Sequence, residues 1–161
     1  MLLSGSDPSP HADVRSDELP HTQENPMTVH LSHPDGLLEQ TDYAPVAVAT
    51  GSRLVLLAGQ AGVTAGGQPS SADLAGQVHS ALHNVVTGVV GAGGTVDDIA
   101  RLTIYVVGWT EEMAPPLFEG LSRAQASDGY SSPLPPITVI GVQALWAPQF
   151  LVEIEATAVL A

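Results

Sequence analysis

The sequence predicts an α+β domain in which two helices cover one face of a mixed sheet. Three observations lead there. Short runs of apolar and β-branched residues recur along the chain, two longer segments repeat apolar side chains near a 3.6-residue period, and the two kinds alternate in the order β-β-α-β-α-β-β. No internal repeat is present.

The expected elements begin well inside the chain. Residues 1–26 are rich in Pro, Ser, Asp, Glu and His, a composition that cannot bury enough apolar surface to offset the entropy of ordering. They are expected to be a disordered or non-native extension, with Met27 as a natural start and 27–161 as the folded domain. His30 and His33 are expected to fall in the poorly ordered part before the first strand. Val46 to Ala49 is a weak strand candidate, and Arg53 to Ala58 is a stronger one after a Thr-Gly-Ser turn.

Leu74, Val78, Leu82, Val85 and Val89 form the apolar stripe of a helix over 72–90. Ser70 and Asp73 supply an N-terminal cap signal, and Gly91-Ala-Gly-Gly94 supplies the stop. Thr, Ile, Tyr and two Val between Arg101 and Val107 favour a strand. A second helix over 111–126 is capped by Thr110, with Leu117, Leu121 and Ala124 inward and with Pro115 and Pro116 confined to its first turn. Ile137–Ala144 and Phe150–Leu160 are the last two strands, and Leu145-Trp-Ala-Pro-Gln149 between them is expected to act as a hairpin-like connection.

Composition narrows the function. The chain has 161 residues, 17 acidic and four basic side chains, a net charge of −13 and no lysine. It cannot neutralise a phosphate backbone, which excludes nucleic acid as a partner, and anionic membrane surfaces are disfavoured for the same reason. With no cysteine, disulfides, thiolate metal sites and thiol nucleophiles are excluded. No apolar stretch is long enough to span a bilayer, and the N-terminus lacks signal-peptide features, so a cytoplasmic location is expected.

The most informative segment is Val152-Glu-Ile-Glu-Ala156. A strand alternates its faces, so Glu153 and Glu155 point one way and Val152, Ile154 and Ala156 the other. A carboxylate on a packed sheet is costly unless something compensates it, which makes this the first place to look for chemistry. His79 and His83 are four residues apart on the first helix, a spacing able to bind zinc, but without a third ligand they are expected to be surface residues. No metal is expected.

The ordered set Tyr43-Ala-Pro-Val46, Leu57-Ala-Gly-Gln60, Gly91-Ala-Gly-Gly94, Val96-Asp-Asp-Ile99, and Gly141-Val142 leading to Val152-Glu-Ile-Glu-Ala156 resembles the RidA family, also called YjgF/YER057c/UK114, over residues 36–161. The resemblance implies a chorismate-mutase-like fold, a homotrimer with a barrel-like centre, and clefts at the subunit interfaces. It also implies hydrolysis of small enamine or imine intermediates to keto acids and ammonia, with a small-molecule substrate and no cofactor. In that family a final-strand Glu handles water, a Tyr lines the cleft, and an Arg clamps the substrate carboxylate.

Glu153 and Tyr43 match the first two positions. Ile137 stands where the clamp Arg would be, Ala58 replaces a Ser, Val139 replaces a small polar residue or Cys, and Pro116 falls near an expected Asn. The resemblance therefore implies a more apolar pocket, with Glu153 and Tyr43 as catalytic candidates. Ile137, Thr138, Val139, Ala58, Gly141 and Trp146 are the substrate-binding candidates. Loss of a buried bidentate pair removes about 2–5 kcal/mol of binding, so standard 2-aminoacrylate deamination is not expected. The alternative is a non-catalytic metabolite-binding or chaperone-like trimer.

Overall fold

The computed structural model describes residues 28–38 and 41–161. The expected extension over residues 1–26 and the expected start at Met27 lie outside the described residues. The elements are β1 (Val29–Ser32), β2 (Val46–Ala49), β3 (Arg53–Ala61), α1 (Leu74–Gly91), β4 (Ile99–Val107), α2 (Ala114–Asp128), β5 (Ile137–Val142) and β6 (Val152–Leu160), with 3-10 turns at Val96–Asp98 and Glu111–Met113. The α+β class and the two helices on a mixed sheet are as expected.

β3, β6, β4 and β5 form one sheet in that order, while β1 and β2 form a separate antiparallel pair. β6 runs antiparallel to both β3 and β4, and β5 runs parallel to β4. Two expectations are corrected here. The segment Leu145–Gln149 is not a hairpin, because β4 lies between β5 and β6. Once α2 has carried the chain from β4 to the parallel edge position of β5, the next strand crosses over β4 to fill the centre of the sheet. And Val46–Ala49 does not extend the main sheet; it pairs with Val29–Ser32, a strand the sequence reading left in the poorly ordered part. Thr28 hydrogen-bonds Asp98 beside that pair. Partial burial opposes ionisation of Asp98, but hydrogen bonds from Thr28 and Thr95 outweigh it and hold the carboxyl below its ordinary range.

Both helices pack on one face of the main sheet. Leu74, Val78, Leu82, Val85 and Val89 of α1 and Leu117, Leu121 and Ala124 of α2 are buried against Leu102, Ile104, Val106, Val152, Ile154, Ala156, Ala158 and Leu160. Asp73 caps α1 by accepting from the Gly76 N–H at 2.7 Å. Ser70 instead donates to the Gly62 carbonyl. α2 ends on Gly129, whose φ of 80° is the left-handed conformation that favours glycine. The helices approach closely at Gly120, where a Cβ would lie 2.6 Å from the Val78 Cβ. Pro115 and Pro116 sit in the first turn of α2, where a missing N–H breaks no hydrogen bond.

Candidate functional site

Alternation along β6 leaves its second face uncovered by helices. Val152, Ile154, Ala156, Ala158 and Leu160 are buried, while Glu153, Thr157 and Val159 are half-buried and Glu155 is exposed. Register extends this open face across the sheet. Glu153 lies opposite Tyr105, and Glu155 opposite Thr103. In turn Thr103 lies opposite Thr138, and Tyr105 opposite Ile140. Residues directly opposite share a face, so Arg101, Thr103, Tyr105, Thr138, Ile140, Glu153, Glu155 and Thr157 project together.

Glu153 sits at an irregularity. The β3–β6 register shifts between Leu57 and Gln60, a bulge that contains Ala58 and Gly59. A Cβ at Gly59 would overlap the Glu153 side chain, so this glycine makes room for the carboxylate. Ala58, exposed beside it, carries no hydroxyl.

Tyr105 donates to Glu155 at 2.9 Å. Its phenol is pushed upward by that hydrogen bond first, then by burial and by the charges of Glu155 and Glu153. It therefore stays protonated across the physiological range and acts as a donor. The loop before β6 is held by Gln77, which is 1% exposed. Its Nε2 donates to the carbonyls of Ser71 and Gln149, and its Oε1 accepts from the Leu151 N–H at 2.8 Å. This fastens the N-terminal half of α1 to the chain two residues before Glu153.

Other candidates lie elsewhere. Ile137 and Val139 pair with Leu102 and Ile104, so they belong to the helix-covered side of the sheet, opposite to Glu153. Gly141 shares that side, and its Cβ position is filled by Trp109. Thr138 faces the open side. Tyr43 is half-buried and bridges to Leu134 ahead of β5. Ile140, in the cross-sheet row of Glu153, is six positions beyond Leu134, about 20 Å along the strand. One protomer thus brings together Glu153, Ala58 and Tyr105, but separates them from Tyr43, Ile137 and Val139. Trp146 is 69% exposed in the β5–β6 loop and packs on Phe150 with ring centroids 4.7 Å apart.

Sequence reasoning missed Tyr105 opposite Glu153, and Arg101 and Thr103 further along the same open face. Their alternation with Leu102, Ile104 and Val106 was the available signal. His79 and His83, expected to be solvated, reach across to α2. His83 Nδ1 lies 2.7 Å from Asp128 and His79 Nε2 lies 2.9 Å from Ser127. Among the described residues no group of three potential ligands is arranged to hold a metal ion, and no helix is long and apolar enough to cross a membrane.

Comparisons with known proteins agree with this fold. The family model described as Endoribonuclease L-PSP matches residues 37–160. A Rid-family protein of unknown function from Yersinia pestis, YyfB, is 27% identical with a TM-score of 0.73, over 83% of this chain and 100% of that one. Rv2704 of Mycobacterium tuberculosis, from the YjgF/YER057c/UK114 family, is 30% identical with a TM-score of 0.53, over 73% and 86% of the two chains. TdcF of E. coli, solved with bound serine, is 26% identical with a TM-score of 0.59, over 76% and 97%. A search of curated proteins found no match. With the family model spanning both helices, all four strands of the main sheet and the Glu153 segment, the chain belongs to the Endoribonuclease L-PSP family, the RidA or YjgF/YER057c/UK114 family.

Proposed function

We propose that this protein is a small-molecule hydrolase or tautomerase that acts on a reactive imine or enamine at a cleft between protomers. Glu153 serves as the general base that positions and deprotonates water. The observation that carries this reading is the place of Glu153: half-buried on the open face, at a bulge where glycine leaves room for its carboxylate. Water attacks the imine carbon as Glu153 takes its proton, and Glu153 returns that proton to the nitrogen. Collapse of the carbinolamine, with its hydroxyl proton passing through the carboxylate to the leaving nitrogen, releases ammonia or an amine and leaves a carbonyl product.

The division of the candidate residues supports a shared site. Tyr43, Ile137, Val139 and Gly141 lie about the β5 edge, remote from Glu153 in the same protomer. An edge-to-edge assembly would set one protomer's β5 edge against its neighbour's β3 bulge. In the proposed cleft Tyr43 orients the ligand, backbone groups at Thr138 and Gly141 supply hydrogen bonds, and Ile137, Val139 and Trp146 favour a less anionic substrate. The apolar residues exposed on the open face, Leu54, Leu56 and Ile140, support a homotrimer that encloses it. The serine bound by TdcF is consistent with a small-molecule ligand. The name endoribonuclease does not extend easily to this chain, whose charge of −13 opposes RNA.

The test is turnover of imines generated in situ from apolar amino acids by an amino-acid oxidase, with ammonia or keto acid as readout. Glu153→Gln is expected to lose about 100-fold or more, the usual range for a removed general base, with the assembly unchanged by sedimentation. Unchanged turnover removes Glu153 from the mechanism. The replacement of a guanidinium by Ile137 favours one second reading, a trimer that binds an apolar metabolite without converting it. Saturable ligand binding with no rate above buffer would select that reading.

A further inference from the structure

We propose that the open face carries a second binding site, between Arg101 and Glu155, for a small zwitterion such as an α-amino acid with an apolar side chain. The site is separate from the Glu153 cleft and does not depend on the reaction proposed there.

Arg101, Thr103, Glu155, Thr157 and Leu56 line a concavity of about 300 Å³ on the open face of the sheet. Register sets Arg101 opposite Thr157 and Thr103 opposite Glu155, which makes Arg101 and Glu155 diagonal neighbours with Cβ atoms about 7 Å apart. At that separation two long side chains can meet, yet no ion pair forms between them; the ion pairs among the described residues are His79–Asp128, His83–Asp128 and Arg123–Glu119. Arg53 lies at the start of β3, opposite Leu160, with two long contacts of 3.5 Å to the carbonyls of Ala92 and Ala161. Arg101 has one weak partner, the Thr138 hydroxyl at 3.5 Å. In a chain with 17 acidic side chains and four arginines, a guanidinium that lines a concavity and is paired with no carboxylate there has its donor fork free for a ligand.

The opposite wall is set for a cation. Tyr105 donates to Glu155 Oε2, which fixes the carboxylate and leaves it further acceptor capacity. The phenol spends its one O–H on Oε2, so the second carboxylate oxygen is left to an ammonium group. One wall is therefore positive, the other negative, and Thr103 and Thr157 add hydroxyls between them. A simple carboxylate would meet Arg101 but be repelled by Glu155; a simple amine would meet the reverse. A zwitterion satisfies both. Leu56, 72% exposed, gives the apolar wall a side chain would cover. In a trimer built on this face, three such sites would open on a common lumen.

The experiment is calorimetric titration of the full chain with L-leucine, 4-methylpentanoate and 3-methylbutylamine. Saturable binding of leucine is expected, with each single-charge analogue about tenfold weaker or worse, as loss of one charge-assisted contact predicts. Arg101→Gln and Glu155→Gln should each weaken leucine about as much, while Glu153→Gln should lose imine turnover and keep leucine affinity. Thr157→Val, which preserves volume, provides a milder loss if the charge variants fail to fold. No saturation by about 10 mM leucine, an affinity below the weakest useful range, overturns the proposal. So does an Arg101→Gln protein that keeps leucine affinity but changes its sedimentation, which would make the two charges a contact between copies.

Discussion

Gly59 and Glu153 are a pair that sequence spacing cannot connect, since 94 positions separate them. The bulge places Gly59 under the carboxylate, and the space a Cβ would need is already occupied by that side chain. Gly59→Ala should therefore leave the fold intact, because the obstructing atoms belong to a flexible side chain rather than to backbone. The carboxylate must turn away, and catalysis that needs placement within a fraction of an ångström should fall steeply. We expect imine turnover in Gly59→Ala to approach that of Glu153→Gln, with a circular dichroism spectrum like the parent's and a crystal structure showing a rotated Glu153. Full activity in Gly59→Ala would mean that the carboxylate's place at the bulge is irrelevant to the reaction. The orientation of Glu153 away from the core was legible from alternation alone. Its neighbour was not, because a bulge changes register without changing the hydrophobic pattern.

Helices and strands were legible to different depths. Both helices announce themselves by periodicity, and the buried residues of α1 and α2 include every apolar stripe position the sequence suggested. The cap and stop signals hold for α1, but the expected Thr110 cap does not: Thr110 precedes a 3-10 turn, and α2 begins only after Met113, with no side-chain cap. Strand order was less accessible. β5 and β6 are adjacent in sequence and were expected to pair, but pairing is decided by the crossover through α2, which is a tertiary event. That error also obscured the site, since the face presented by Ile137 and Val139 follows from their pairing with β4. β1 was missed because four residues in a polar context carry little signal until β2 and Asp98 hold them. The α1–α2 contact supplies a test at this level. A Cβ on Gly120 would lie 2.6 Å from the Val78 Cβ and 2.7 Å from the Ala75 carbonyl oxygen, so relief requires movement of a helix. Gly120→Ala should cost about 1–3 kcal/mol through overpacking, offset by about 0.8–1 kcal/mol from better helix propensity, for a net loss of up to about 2 kcal/mol. Chemical denaturation would measure it, and a stabilising result would show that the two helices slide apart freely.

For the molecule as a whole, the two faces of the main sheet have different fates. One is sealed by α1 and α2, and the other presents Leu54 and Leu56 to water together with Arg101 and Glu155. A net charge of −13 keeps copies apart at long range, so association needs short-range apolar burial that outweighs this repulsion. Each fully covered leucine contributes about 1.5–3 kcal/mol, and in a threefold assembly one substitution is repeated at every interface. Leu54 does not line the Arg101–Glu155 concavity, which makes it the cleaner probe of assembly. In the proposed homotrimer, Leu54→Asp should convert a particle of about three times 16.6 kDa into a folded monomer, as read by sedimentation velocity, and added salt should strengthen the proposed assembly by screening its acidic surfaces. Because Glu153 and Tyr43 are too far apart in one protomer to share a ligand, the same variant should lose imine turnover even though both residues remain. A Leu54→Asp monomer that turns over imines at the parent rate would place the whole reaction within a single chain. A Leu54→Asp trimer would move the assembly surface away from the open face.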